Sequence, residues 1–360
     1  FFKILIIFYN VTWKIRDIHI IDYFNSIFLE ILRILMEKAK PFLSKKNPLN
    51  MSINKGEKFF LKFLFPNYWL DWILIFISFI LTNLPKILRD ILGALTGLII
   101  YYTSTKRRNI VKKNLSMCFT NMNSQEILLL TKKNLLNLGK SYFNLPVLWW
   151  RSNDRLQKIC VIKNSHHIDH QLSNNKSIIL LTPHTMSVDF GGRSLSKYPI
   201  ISMYKPLRSS LLNWFVGKSR SKPTDNVVVF PRGGMSFKGI IKGLKKPCIF
   251  YYVADEDIES TNTVFADFFD NKKSTLTSIS KIAQMTNSIV IPCVSHFSEK
   301  DNKYITYIDE PLKNFPSNDI NKDAAQINNC LEKLISKNTD QYMWSLRIFQ
   351  TRPNGEKYPY

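Results

Sequence analysis

The 360-residue chain is short of cysteine, of glycine and of acidic residues, and each shortage removes a class of protein. Its five cysteines, Cys118, Cys160, Cys248, Cys293 and Cys330, are odd in number and widely spaced, and no C-x-x-C pair occurs. That excludes a disulfide framework and offers no zinc motif, so they read as core residues of a protein in a reducing compartment. Glycine occurs twelve times, and the only adjacent pairs are Gly191-Gly192 and Gly233-Gly234. No Gly-rich phosphate loop, dinucleotide fingerprint or G-x-S-x-G elbow is present. Asp and Glu total 27 against 50 Lys and Arg, a formal charge of +23. An excess of that size predicts an anionic partner: nucleic acid, a phospholipid surface or an acidic protein.

An uninterrupted apolar run of the roughly 20 residues that span a bilayer is also missing. Two shorter uncharged runs stand in its place, at 72–85 and 91–102. Trp69, Trp72, Tyr101 and Tyr102 are the amphipathic aromatics expected at headgroup depth, and Lys106-Arg107-Arg108 and Lys112-Lys113 follow where anionic lipid would meet them. With 25 Phe, 15 Tyr and 7 Trp, many of them beside Ile and Leu near the N-terminus, the aromatic content favours a membrane surface over a nucleic-acid groove. We read residues 58–103 as a helical anchor, embedded or lying in the membrane plane, with one full span as an alternative if Asp71 or Lys86 snorkels. A buried core helix is the plainer reading. Residues 1–57, opening on Phe1, form an extension that either adds to the anchor or is foreign to the mature protein; it has no signal-peptide pattern.

From residue 104 to 356 the chain alternates, as a βαβ protein does. Strands are expected at 177–181, 200–203, 226–230, 248–253, 288–294 and 303–308. Helices are expected at 190–197, 209–218, 234–245, 274–285 and 321–336, after a helical stretch from 109 to 150. The fold class is therefore α/β, with a mainly parallel central sheet flanked by helices.

His184 and Asp189, in Thr-Pro-His184-Thr-Met-Ser-Val-Asp189-Phe-Gly191-Gly192, follow the apolar strand at 177–181. Open α/β folds keep their chemistry at such strand ends. Five residues rotate a helix by about 140°, so the two side chains meet only if His184 lies in the loop and Asp189 on the next helix. That arrangement gives an imidazole oriented by a carboxylate, the form of a general base for a hydroxyl. An ordinary hydrogen-bonded pair is the competing reading. Asp255-Glu256-Asp257 follows the strand at 248–253 and would lie near His184 if the two strands are neighbours. Three adjacent carboxylates need a cation, a metal or solvent. Lys205, Arg208, Arg220 and Arg232 sit in or near successive connections and together could rim the site for phosphate, although singly each reads as a surface charge. His166-His167-Ile-Asp169-His170 has adjacent rather than face-spaced ligands and no distant partners, so no metal is assigned to it.

With these pieces in place, the chain resembles the lipid A biosynthesis acyltransferases, the late or secondary acyltransferases of Gram-negative bacteria. Four segments between residues 60 and 356 carry the resemblance. They are Pro183-His184-x4-Asp189 with Gly191-Gly192; Tyr204-Lys205-Pro206 through Asn213 to Arg220; Ala254-Asp255-Glu256-Asp257 with Val264-Phe265-x-x-Phe268-Phe269 and Thr275; and Gln341-Tyr342-x-Trp344-x-x-Arg347-x-Phe349-x-Thr351-Arg352-Pro353-x-Gly355.

The resemblance implies a glycerolipid-acyltransferase-like fold and transfer of a fatty acyl chain from acyl-acyl carrier protein to a 3-hydroxyacyl hydroxyl of a Kdo-linked lipid A precursor. It further implies the cytoplasmic face of the bacterial inner membrane, with carrier protein, inner-membrane phospholipid and precursor as partners, no nucleic acid and no cofactor. His184 and Asp189 would be catalytic. Arg220 and Asp257 carry over as residues for acceptor positioning or site architecture, with Lys205, Arg208, Arg232 and Asp255 in support. Aromatic pairs at 149–150, 214–215 and 268–269 could line an acyl slot, in which each methylene is worth about 0.8 kcal/mol. Asp-Glu-Asp and Phe-Phe-Asp270-Asn depart from the family's usual Asp-Gln-Asp or Asp-His-Asp and Phe-Phe-Gly. A glycerol-phosphate or lysophospholipid acyltransferase is the alternative enzyme, against which the Trp344 to Pro353 segment argues. A basic membrane-surface protein with a structural His184 is the non-enzymatic alternative.

Overall fold

The computed structural model describes residues 60–360, apart from 222–225, 259 and 261. The extension at 1–57 and the first two residues of the expected anchor lie outside the described residues.

Seven strands form one sheet: β1 (Cys160–Lys163), β2 (Ile178–Thr182), β3 (Ile200–Tyr204), β4 (Val227–Pro231), β5 (Ile249–Val253), β8 (Ile289–Ser298) and β9 (Lys303–Ile308), in the order β1-β9-β8-β2-β5-β3-β4. All neighbours are parallel except β8 and β9, which form an antiparallel pair. The sheet is parallel where βαβ crossovers are long enough to return the chain, and at its centre β2 is buried along its whole length and β5 in all but its last residue because helices cover both faces. The period of two along β2 divides the core. Ile179 and Leu181 pack toward one cluster with Phe250, Val290 and Trp344, while Ile178 and Leu180 pack toward a second with Ile249, Tyr251 and Leu195.

The helices that flank the sheet are α7 (His166–Ser173), α8 (Val188–Ser194), α9 (Ser210–Ser221), α10 (Gly234–Leu244), α11 (Ser278–Thr286) and α12 (Ile320–Ser336). One expectation fails here. The helix expected at 274–285 starts only at Ser278, because residues 271–276 are strand β7 (Asn271–Leu276), paired antiparallel with β6 (Thr263–Phe268). Phe268 faces Asn271 across a two-residue turn, in which Phe269 and Asp270 take φ of 47° and 57°. Such turns are signalled by Asn-Gly or Asp-Gly. Phe-Asp hides the hairpin, and the ring of Phe269 is instead held by packing on Phe119 and Trp344.

The N-terminal helices are α1 (Trp69–Asn83), α2 (Lys86–Thr103), α3 (Thr105–Cys118) and α4 (Ser124–Asn144), followed by the short α5 (Val147–Trp150) and α6 (Asn153–Ile159). In α1 and α2 the usual amphipathic order is inverted. α2 buries Arg89, Gly93 and Gly97 against the protein and leaves Ile87, Leu88, Ile91, Leu92, Leu95, Ile99 and Tyr102 exposed. α1 turns Ser78 and Thr82 inward with Trp72 and Ile75, while Trp69, Ile73 and Ile80 face out. A stripe of that extent would drive association in water and suits the boundary of a bilayer. Among the described residues no helix is long and apolar enough to cross a membrane. Of the four aromatics expected at headgroup depth, Trp69 and Tyr102 are exposed and Tyr101 is half-buried. Trp72 is buried, donating its indole N–H to the Phe63 carbonyl at 2.9 Å.

α2 and α4 pack at backbone distance. A Cβ on Gly139 would stand 2.0 Å from the Gly93 carbonyl oxygen, and one on Gly97 would stand 2.3 Å from the Leu135 oxygen. Small residues four apart permit this approach. In an open helix alanine is better than glycine by about 1 kcal/mol. At this crossing the sign reverses, and Gly139→Ala should destabilise by about 1–3 kcal/mol. A lowered unfolding midpoint is expected; an unchanged or raised one would mean that the two helices do not touch there.

Candidate active site

The site is built by register. In the β2–β5 ladder Thr182 pairs with Val253, and the ladder runs one step further through the bond from the Ala254 N–H to the Thr182 carbonyl at 3.0 Å. Two residues beyond each strand stand His184 and Asp255. Asp255 Oδ1 lies 2.5 Å from His184 Nδ1, and its Oδ2 accepts the His184 backbone N–H at 2.9 Å. The carboxylate thus grips both the ring and the main chain of one residue. Asp255 is fully buried, and the His184 side chain keeps 22 % of its surface.

Burial disfavours charge on His184, but the charge of Asp255 and its hydrogen bond outweigh burial, so the imidazole pKa is raised above its usual value. Burial likewise pushes Asp255 up, and His184 more than offsets it, leaving the carboxyl below its usual range. With Asp255 ionised, Nδ1–H donates to it, and in the neutral ring Nε2 holds the free lone pair. The raised His184 pKa adds stability in full below about pH 6.5. That contribution fades as the pH rises through the folded value.

His184 opens on a cavity of about 420 Å³ that is also lined by Asp189, Lys205, Arg220, Arg232 and Glu256. Its apolar wall includes Leu145, Leu148, Trp149, Val216, Val229 and Met343. Asp189 occupies the first turn of α8, as its spacing predicts, and lines the same cavity as His184. The expected contact between them is not the bond observed on His184 Nδ1: that bond goes to Asp255, while Asp189 takes Arg220 as its ion-pair partner at 3.0 Å. Arg220 also lies 5.8 Å from the centre of the Tyr204 ring. Of the glycine pair after Asp189, Gly191 serves packing, since a Cβ there would stand 2.0 Å from Ser295 Oγ.

The acidic triplet resolves into three different environments. Asp255 takes His184, Glu256 takes Arg232 at 2.7 Å, and Asp257 accepts the Thr351 N–H at 2.7 Å. Asp257 is buried, and burial raises its pKa. It anchors the C-terminal segment rather than lining the cavity. Arg208 lies in the exposed connection after β3 and is not among the cavity-lining residues. Of the aromatic pairs expected in an acyl slot, Trp149 lines the cavity. Trp150 packs on Phe215 and Phe79 instead, and Phe268 is wholly buried beside Phe349. His166, His167 and His170 flank a separate surface hollow with Glu310. Among the described residues no group of three or more His, Cys, Asp or Glu is placed to hold a metal.

Sequence reasoning passed over the residues that hold the His184 loop. The Met343 N–H donates to the His184 carbonyl at 2.9 Å and the Met186 N–H to that of Gln341 at 2.8 Å. Thr185 pairs with Tyr342 as an isolated bridge. That clasp is itself held by buried asparagines: Asn134 Nδ2 donates to the Asp340 and Tyr342 carbonyls, and Asn114 Nδ2 to those of Trp344 and Leu346. The one available signal was an amide at core positions of otherwise amphipathic helices. Lys273 was also overlooked. It is fully buried, and burial lowers its pKa while Asp255 and Asp257 hold it up.

Comparison with known proteins agrees with this architecture. The sequence profile of the bacterial lipid A biosynthesis acyltransferase family matches residues 57–351. A lipid A biosynthesis acyltransferase of Haemophilus influenzae is 30% identical over 296 residues, covering 82% of this chain and 92% of its own. The lipid A biosynthesis palmitoleoyltransferase of Escherichia coli is 26% identical, covering 84% and 98%, and the lauroyltransferase of the same organism is 27% identical, covering 83% and 97%. The chain belongs to the lipid A biosynthesis acyltransferase family. It is a membrane-associated bacterial acyltransferase that acts on a lipid A precursor.

Replacing Asp255 by Asn tests the pairing. The imidazolium loses its counter-charge while burial persists, so the His184 pKa should fall. NMR titration of the ring, assigned by comparison with a His184→Gln sample, would show it; an unmoved or raised value would mean that Asp255 does not govern the imidazole.

Proposed function

We propose that this chain transfers a fatty acyl chain from acyl-acyl carrier protein to the hydroxyl of a 3-hydroxyacyl group on a Kdo-linked lipid A precursor, at the cytoplasmic face of the inner membrane. The observation that carries the reading is the His184–Asp255 pair, opening on a cavity with an apolar wall and a basic rim. His184 Nε2 takes the hydroxyl proton, and Asp255 balances the imidazolium that forms. The alkoxide attacks the thioester carbonyl. As the tetrahedral intermediate collapses, the carbon–sulfur bond breaks, the new ester remains on the precursor, and the proton on His184 passes to the departing thiolate. Arg220, Arg232 and Lys205, on the cavity wall, are cations available to the developing oxyanion. Asp189 fixes Arg220, which makes it catalytic through charge placement at the same centre.

The formal charge of +23 supports both partners. An acidic carrier protein and a phosphorylated, carboxylated acceptor are each drawn to a basic surface. The exposed aliphatic stripe of α2 supports placement in the membrane boundary, where the acceptor lies.

His184→Ala should lower acyl transfer by a factor of about 10²–10⁴, while sedimentation with phospholipid vesicles persists. Turnover that survives the substitution would remove His184 from the chemistry. Asp189→Asn should lower kcat more than it raises KM; the reverse pattern would reduce Asp189 to substrate binding. Because the base must be neutral, the rate should climb with pH through the raised His184 pKa. A rate that falls over that range would exclude the imidazole as base. Mass spectrometry of the product, with lysophosphatidic acid as the competing acceptor, tests the substrate class directly.

A further inference from the structure

A second cavity, of about 600 Å³, is also bordered by the His184 loop. Met186 and Ser187 line it, whereas His184, Val188 and Asp189 line the first cavity, so the segment 184–189 contributes to both. Its other walls come from α2, α4, the β8–β9 hairpin and the segment 338–341.

The chemistry of these walls differs from that of the first cavity. Four lysines converge on it from three elements: Lys86 on α2, Lys133 and Lys140 on α4, and Lys300 in the hairpin. Lys86 is paired with Asp90 and Lys133 with Asp340, so two of the three lining carboxylates are already neutralised. Among the described residues Lys140 and Lys300 have no carboxylate partner, and Glu299 at the rim forms no ion pair. The remaining lining includes amides and hydroxyls, Asn137, Ser141 and Asn302 among them. Rings line it as well: His296, Tyr304 and Phe297, the last with the Lys86 ammonium 4.1 Å from its centre. Ammonium groups bind an anion, paired donors and acceptors bind hydroxyls, and a ring face suits the C–H side of a pyranose. A fatty chain would find little to bury against here.

The cavity is also tied to the reaction loop. Gln341 bridges the main chain of Phe297 through both amide atoms, at 2.8 and 2.9 Å, and its carbonyl accepts the Met186 N–H. An occupant in contact with Lys300 and Gln341 therefore presses on the residues that set the His184 backbone.

We propose that this cavity is the subsite for an anionic sugar, the phosphorylated hexosamine headgroup of the acceptor, with Lys140 and Lys300 as its charge contacts. The proposal rests on the acceptor class given under Proposed function. It places the headgroup beside the loop that carries His184, so that recognition of the sugar and orientation of the base share a structural element.

The test is binding, which needs no turnover. Glucosamine 6-phosphate is titrated into the full-length protein by calorimetry, beside glucosamine and inorganic phosphate, and then into the Lys140→Ala/Lys300→Ala double variant. Loss of two charge contacts should weaken the sugar phosphate by about tenfold or more, with Lys140→Arg/Lys300→Arg restoring most of it and the unfolding midpoint unchanged. The double alanine variant should also raise KM for the lipid acceptor more than it lowers kcat, and glucosamine 6-phosphate should compete with that acceptor. Equal affinity for the double variant, equal affinity for inorganic phosphate, or inhibition that the acceptor cannot reverse would overturn the subsite. The last result would mark a free metabolite instead. His184→Ala should bind the sugar phosphate as the parent does. Lysine-dependent binding in a protein that acylates no lipid A precursor would refute the proposed function and leave the sugar site standing.

Discussion

The pairing of β2 with β5 is the constraint on which the rest depends. Parallel neighbours in register deliver their next residues side by side, and here the ladder continues through Thr182 and Ala254 before the chains part. His184 and Asp255 stand two residues beyond their paired strands, which is why a side chain 71 positions away supplies the imidazole's partner. The same register explains a buried acid. Asp255 loses its hydration, but it receives a backbone N–H and a ring N–H from a single residue, so its charge is met where it stands. Asp189 is left by this arrangement to pair with Arg220 on the wall of the cavity.

A second constraint comes from the boundary with lipid. α1 and α2 place serine, threonine and glycine toward the protein and aliphatic side chains outward, the opposite of a helix in water. Glycines 93, 97 and 139 make this possible, because helices that meet through backbone atoms need no inward-facing leucines. The aliphatic residues are left for the bilayer. Lys86 opens α2 beside this stripe and lines the second cavity at the same time. One helix therefore carries an exposed aliphatic face and borders a polar, lysine-rich recess.

Much of this was legible in the sequence, and what was missed has physical causes. The apolar runs that became β2, β3, β4, β5 and β8 read correctly because buried parallel strands are rich in consecutive Ile, Val and Leu, while β9, Lys-Tyr-Ile-Thr-Tyr-Ile, alternates instead. The loop position of His184 and the helical position of Asp189 followed from their five-residue separation. The β6–β7 hairpin was illegible because Phe269 and Asp270 occupy a turn that normally advertises itself with glycine. The true partner of His184 was legible only conditionally: Asp255 lay at a strand end, but strand order is a tertiary fact that periodicity does not encode. The clasp of Asn114 and Asn134 was hidden for a related reason. An asparagine inside an amphipathic helix reads as a surface residue until the carbonyls it serves, more than 200 positions away, are folded against it.

That clasp gives the C-terminal segment a role beyond closing the core. The Met343 to Pro353 stretch receives Asn114 on its backbone, donates to the His184 carbonyl through the Met343 N–H, and reaches Asp257 through Thr351. The two residues that flank the reacting pair in sequence, Thr185 after His184 and Asp257 just beyond Asp255, are thus joined to one strip of chain. A strand end alone would leave His184 free to swing with its loop. Fixing the loop from its far side, through the main-chain bonds to Met343 and Gln341, holds the ring against Asp255.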